Sequence, residues 1–125
     1  MPDTIFALAT PPGRSGLAVI RVSGPDTGAA LDALTRKARP EPRVASLRKL
    51  RAADGELLDT GLVLWFPAPR SFTGEDMAEL HIHGGPAVIQ DLIARLGALP
   101  GLVPAEAGQF ARRAFHNDKL DLTEV

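Results

Sequence analysis

The order of apolar and polar positions along the chain predicts a set of strands and helices before any chemistry is considered. Residues 4–9, "TIFALA", form a short apolar run and predict a strand. "LAVIRVS", 17–23, is rich in β-branched residues and predicts a second strand. The intervening "TPPGRSG", 10–16, has two prolines and two glycines and reads as a loop. Gly24 and Pro25 open a helix expected to run to about Ala38, because proline suits the first helical turn. "VASLRKL", 44–50, and "ELLDT", 56–60, flank "ADG", 53–55, a hairpin signal. "GLVLWF", 61–66, is a continuous apolar run and predicts a buried central strand. After the long loop 67–76, "MAELHIH", 77–83, alternates again. From Pro86 the period changes. Val88, Ile89, Leu92, Ile93 and Leu96 make one helical stripe that "LPG" ends, and residues 106–115 predict a further short helix.

This order is not a regular alternation of strand and helix, so a doubly wound fold is not expected. It predicts an α+β domain: a mixed sheet of about five or six strands with two or three helices. At 125 residues one domain with a modest core is expected. At the C-terminal end, Asp121 and Glu124 have the spacing of a capping box. The expected division is a domain over 1–120, with 121–125 starting a helical domain that continues beyond this chain.

Charge and composition narrow the classes little. The net charge of −1 gives no global basic field for nucleic acid. Seven Arg and Lys do cluster between Arg36 and Arg51, a pattern that solvated loops and strand edges also show. With no cysteine, disulfides and thiolate metal sites are excluded, which fits a cytoplasmic protein. No basic leader segment and no apolar run of about 18 residues occurs, so no membrane association is expected. No Gly-Lys dipeptide occurs, so a phosphate loop cannot be built, and there is no nucleophile elbow. No catalytic residue is assigned.

The chemistry concentrates in "AELHIHGGP", 78–86. Strand alternation sends Ala78, Leu80 and Ile82 to the core and Glu79, His81 and His83 to the opposite face. Two histidines at that spacing can chelate zinc if a third ligand comes from elsewhere, and His116 is the remaining histidine. They can equally be hydrogen-bonded residues of a half-exposed strand, or support Glu79 as a ligand-binding acid. A carboxylate in a cleft takes two parallel hydrogen bonds, from a guanidinium or from the amino-pyrimidinone edge of a pterin or guanine. Gly84 and Gly85 allow close approach, and the helix start that follows favours an anionic or polar group. Arg21 interrupts an apolar strand and needs a partner. Lys119, by itself, reads as a surface lysine.

Three blocks, "TIFALATPPGRSGLAVIRVSG", "PRSFTGEDMAELHIHGGP" and "RRAFHNDKLDLTEV", resemble the N-terminal domain of the MnmE (TrmE) family of tRNA-modification GTPases from about residue 3 to the end. The resemblance implies a fold similar to the tetrahydrofolate-binding domain of glycine-cleavage T-proteins. It also implies a constitutive homodimer and binding of 5-formyl- or 5,10-methylene-tetrahydrofolate. Arg21, Glu79 and Lys119 match the family's folate-binding residues. The full-length family members act as GTP hydrolases, using GTP, Mg and K, in domains beyond residue 125. They work on tRNA with an FAD-dependent partner, MnmG, adding an aminomethyl-type group at C5 of the wobble uridine. This chain alone is expected to be inactive on GTP, to bind no metal, and to act as a folate-binding and dimerising module. The alternatives are a small metal site built on His81, His83 and His116, or a purely structural dimerisation domain.

Overall fold

A computed structural model describes residues 3–10 and 16–118; Lys119 and the Asp121/Glu124 pair lie outside the described residues. The elements are β1 (Thr4–Leu8), β2 (Leu17–Ser23), α1 (Thr27–Thr35), β3 (Ser46–Arg51), β4 (Leu57–Phe66), β5 (Met77–His83), α2 (Pro86–Gly97), β6 (Leu102–Pro104) and α3 (Gln109–His116). Six strands form one sheet in the order β3-β4-β5-β2-β1-β6. β6 runs parallel to β1 and every other pair is antiparallel. The α+β architecture and the mixed sheet are as the sequence predicts.

Alternation decides which face each strand buries. Ala18, Ile20 and Val22 of β2 and Ala78, Leu80 and Ile82 of β5 are all buried. They join Phe6, Val63 and Trp65 in a single core with Leu31 and Leu34 of α1 and Leu92 and Leu96 of α2. Val88, Ile89 and Ile93 complete the α2 stripe as partly buried neighbours of that core. Helices α1 and α2 therefore cover the same face of the sheet. Each fully buried Leu or Ile contributes about 1.5–3 kcal/mol relative to exposure, so this face supplies most of the driving force.

Four expectations need correcting. The runs 56–60 and 61–66 are one ten-residue strand, β4, antiparallel to β3 through the Ala53–Gly55 turn. That strand is not buried on both sides: Val63 and Trp65 face the core, but Leu62 is 41% exposed. Helix α1 starts at Thr27 and stops at Thr35, where Arg36 turns left-handed at φ 55° and donates its N–H to Asp32 O. Strand β6 was not foreseen; only three residues long, it pairs with the distant β1. Among the described residues no helix is long and apolar enough to cross a membrane.

The other sheet face is covered only in part. Leu17, Leu47 and Leu62 on it are 60%, 66% and 41% exposed. Toward β1 the covering improves, and Ile5 and its cross-strand neighbour Ser23 are fully buried. Arg113 of α3 reaches that corner and donates to Ser23 O at 3.4 Å and to both oxygens of Glu75, at 3.0 and 3.3 Å. The Ser23 hydroxyl donates to Glu75 Oε1 and meets Thr73 Oγ1, each at 2.8 Å. Asn117, just after α3, donates to Thr73 O at 2.8 Å. This network clamps the 67–76 loop between the end of β2 and α3.

Gly24 makes the exit from β2 possible. Its φ is 139°, and a Cβ there would stand 2.6 Å from Thr4 Cα. Thr4 in turn accepts the Asp26 N–H on Oγ1 at 2.7 Å as the chain enters α1. Gly24→Ala meets both a disfavoured backbone region and an immovable neighbour. It is expected to destabilise the fold by more than ~1 kcal/mol, read as a melting temperature lower by several degrees; an unchanged transition would show that the β2–α1 exit tolerates a side chain.

Candidate functional site

The register of β2 against β5 places Arg21 directly opposite Glu79. Both lie on the face turned away from α1 and α2, because their neighbours in sequence are core residues. Arg21 Nε donates to Glu79 Oε2 at 3.2 Å. His81, two residues on and so on the same face, donates its Nε2–H to Glu79 Oε1 at 3.0 Å. The glutamate is 23% exposed, Arg21 43% and His81 32%. The partner that each residue needs is thus supplied within the sheet. Each carboxylate oxygen keeps acceptor capacity beyond its single bond, and the terminal guanidinium nitrogens of Arg21 make no hydrogen bond among the described residues.

A cavity of about 190 Å³ opens over this pair, lined by Arg21, Phe66, Phe72, Met77 and Glu79. Its floor is charged and its walls are aromatic and thioether. Phe66 ends β4 beside Met77, its cross-strand neighbour. Phe72 comes from the 67–76 loop and is 47% exposed. The Arg113–Glu75–Ser23 network fixes the loop that carries it. Nothing in the sequence pattern singled out Phe66, Phe72 or Met77. Phe66 was absorbed in an apolar run and Phe72 sits in a loop without periodicity.

The rest of the "ELHIHGGP" stretch goes elsewhere. His83 stands four residues along the strand from Glu79, about 13 Å away. Its ring Nδ1 donates to Asp59 Oδ1 at 2.8 Å and its backbone N–H to Asp59 Oδ2 at 2.9 Å. Gly84 donates to Gly16 O, and Gly85 caps α2 without a side-chain bond. The glycine turn and the α2 start therefore lie at the far end of β5 from the cavity and do not line it. His116 lies on α3 with its ring edge-on to Phe115. Among the described residues no three His, Asp or Glu are grouped to hold a metal ion. Lys119 lies outside the described residues, two positions after Asn117.

Comparison with known proteins settles the family. The family described as "GTP-binding protein TrmE N-terminus" matches residues 4–119. The chain belongs to the TrmE N-terminal family. Similar proteins include the tRNA modification GTPases MnmE of Maricaulis maris and Paramagnetospirillum magneticum. They are 60% and 64% identical over 125 residues, the whole of this chain and 28% of each relative. The mitochondrial 5-taurinomethyluridine-[tRNA] synthase subunit GTPB3 of Danio rerio is 61% identical over 124 residues, 98% of this chain and 25% of that protein. The chain spans about a quarter of the length of these relatives.

Asp59, only 10% exposed, has a measurable signature. Burial pushes its carboxyl up. The backbone N–H and ring of His83, the Thr60 N–H and the charge on His83 together outweigh this and hold it below its ordinary value. A depressed carboxyl contributes stability that is present above the unfolded-state value, about pH 4, and is lost as pH falls through the folded one. Asp59→Asn should therefore flatten the acid limb of a melting-temperature profile taken from about pH 5 to about pH 3. Parallel curves for mutant and wild type would remove Asp59 from the acid response.

Proposed function

We propose that this chain is the folate-binding and dimerising module of a tRNA-modification GTPase. The observation that carries the reading is the Arg21–Glu79–His81 group, which forms the charged floor of an aromatic-walled cavity. Family membership and the relatives' names supply the context. The ligand is 5-formyl- or 5,10-methylene-tetrahydrofolate, bound by Arg21, Glu79 and Lys119. When bound it supplies a one-carbon unit.

The residues fit such a group. Glu79 accepts from the ring N–H and exocyclic amine of a pterin on its remaining lone pairs, while the hydrogen bonds from Arg21 and His81 fix the carboxylate in direction. Phe66, Phe72 and Met77 offer apolar and aromatic surface to a flat ring. The volume of about 190 Å³ is below the 300–1,000 Å³ of pockets that engulf a drug-sized ligand. It suits a ring system, with the remainder of the molecule lying outside it or against a second subunit. The likeness to the T-protein folate domain belongs to the same proposal.

The whole protein then works in the cytoplasm with the FAD-dependent partner MnmG on C5 of the wobble uridine of tRNA. GTP, Mg and K are used by domains beyond this chain, whose own residues include no phosphate loop. The second copy sits on the open sheet face, where Leu17 and Leu62 are exposed. Leaving such apolar surface in water is unfavourable, and covering it is the usual driving force of association.

Three measurements test this. In a titration with 5-formyl-tetrahydrofolate, Glu79→Gln should lose affinity by roughly 10- to 150-fold, since a charge-assisted bond is worth roughly 1.5–3 kcal/mol. Its melting temperature should fall much less, because the Arg21–Glu79 pair is a partly exposed cross-strand contact worth roughly 0.2–1 kcal/mol. Phe72→Ala should weaken binding in the same assay, with little effect on folding. Unchanged affinity in a folded Glu79→Gln protein would take the ligand away from this cavity. Light scattering should give twice the 13.2 kDa of one chain, and Leu62→Glu should shift it toward the monomer. A monomeric wild type would overturn the dimer.

A further inference from the structure

The outer strand β3 and the end of α1 carry charge that the ligand cavity does not use. A second cavity, of about 280 Å³, is lined there by Lys37, Arg48, Lys49 and Arg51, together with Thr60 of β4. The basic run from which they come divides into two kinds. Arg39 pairs with Asp32 through two hydrogen bonds and lies over the Trp65 ring. Arg36 is taken up by the carbonyls of Ala52 and Ala53. By contrast, none of the four cations of the cavity is ion-paired among the described residues.

Arg48 is the telling member. Its Nη1 donates to the adjacent Leu47 carbonyl at 3.0 Å. Its Nε is buried and has no hydrogen-bond partner among the described residues. A buried charged donor left unmet is costly, so Arg48 gains by turning its guanidinium toward an acceptor at the cavity. Arg51 likewise spends one nitrogen on a carbonyl, Gly55 O at 3.0 Å. Thr60 adds a hydroxyl to this cationic wall. The acceptor that suits guanidinium forks beside lysine point charges is a phosphate oxygen.

Spacing separates a lone anion from a chain of anions. Arg48 and Arg51 stand three strand residues apart, about 10 Å. Together with Lys37 and Lys49 they spread positive charge along the strand edge and the cavity, an arrangement that consecutive phosphates of a nucleic-acid strand match better than a lone anion does. We propose that this cavity and the edge of β3 bind the sugar–phosphate backbone of RNA. The inference rests on the tRNA substrate proposed above and adds where on this chain the nucleic acid is held. It gives the basic run a role as a positioning contact, without base recognition.

The test is binding of a fluorescently labelled, unmodified tRNA to the intact protein, measured by anisotropy across a salt series. Lys37→Ala/Lys49→Ala removes two exposed cations and leaves the core untouched, so it should fold as wild type. Its affinity should fall tenfold or more at low salt. The slope of log affinity against log salt should shrink by roughly one for each lost phosphate contact. Lys37→Arg/Lys49→Arg should restore both. Arg112→Ala, which removes an exposed cation paired with Glu106, should change neither. In parallel, 5-formyl-tetrahydrofolate should bind the double alanine variant normally, while Glu79→Gln should lose folate and keep RNA. The two proposals thus fail separately. Unchanged affinity and slope in the double alanine variant, absence of tRNA binding by the wild type, or displacement of the tRNA by equimolar pyrophosphate would overturn the RNA site.

Discussion

The register of β2 against β5 is the constraint on which the site depends. Because side chains alternate with a period of two, a slip of one residue would carry Arg21 or Glu79 into the core and bring a leucine or isoleucine out. The apolar sets Ala18, Ile20, Val22 and Ala78, Leu80, Ile82 forbid that slip, since all six are buried against α1 and α2. The hydrophobic face therefore fixes the placement of charges on the opposite face. Arg21 and Glu79 meet because their neighbours are oily, and His81 joins them because it follows Glu79 by one period. The two sides of the sheet are energetically separate and geometrically inseparable.

That coupling also explains what could be read from the sequence and what could not. Arg21 and Glu79 were legible as polar interruptions of strands whose other positions were apolar. Their pairing was not, because it depends on a register between strands 58 residues apart in the chain. The faces of β2, β5 and α2 followed from periodicity. The open side of β4 did not, since an apolar run looks the same whether one face or both are covered; only the location of the helices distinguishes them. Strand β6 left no trace, because three residues ending in a proline carry no alternation and its partner β1 lies almost a hundred residues earlier. The aromatic walls of the cavity were invisible for a related reason. Phe72 is placed by a polar clamp, formed by Glu75, Ser23 and Arg113, whose members have no sequence pattern in common.

The two histidines illustrate how little spacing alone determines. Standing on the same strand face, His81 and His83 could have served one ion. Each instead bonds a different carboxylate, Glu79 in one case and Asp59 in the other. The first orients an acid beneath the cavity. The second ties β5 to β4 where direct strand pairing has ended, with Asp59 accepting the His83 N–H in place of a backbone carbonyl. Gly61 lies at this same point, and a side chain there would run into the His81 carbonyl. One short motif thus supplies a cavity-facing residue at one end and a sheet-closing residue at the other.

The clamp around Glu75 also bears on the order in which the molecule is assembled. Its closing bond, from Arg113 to the Ser23 carbonyl, spans 90 positions of the chain. Closing so long a loop carries a large entropy cost that local hairpins such as β3–β4 avoid. During synthesis the residues of β1 to β5 leave the ribosome before residue 113, since chains emerge from the N-terminal end. Arg21 and Glu79 are thus made before Arg113, which anchors the segment bearing Phe72, and the pocket takes its finished shape only once α3 has been made and has docked.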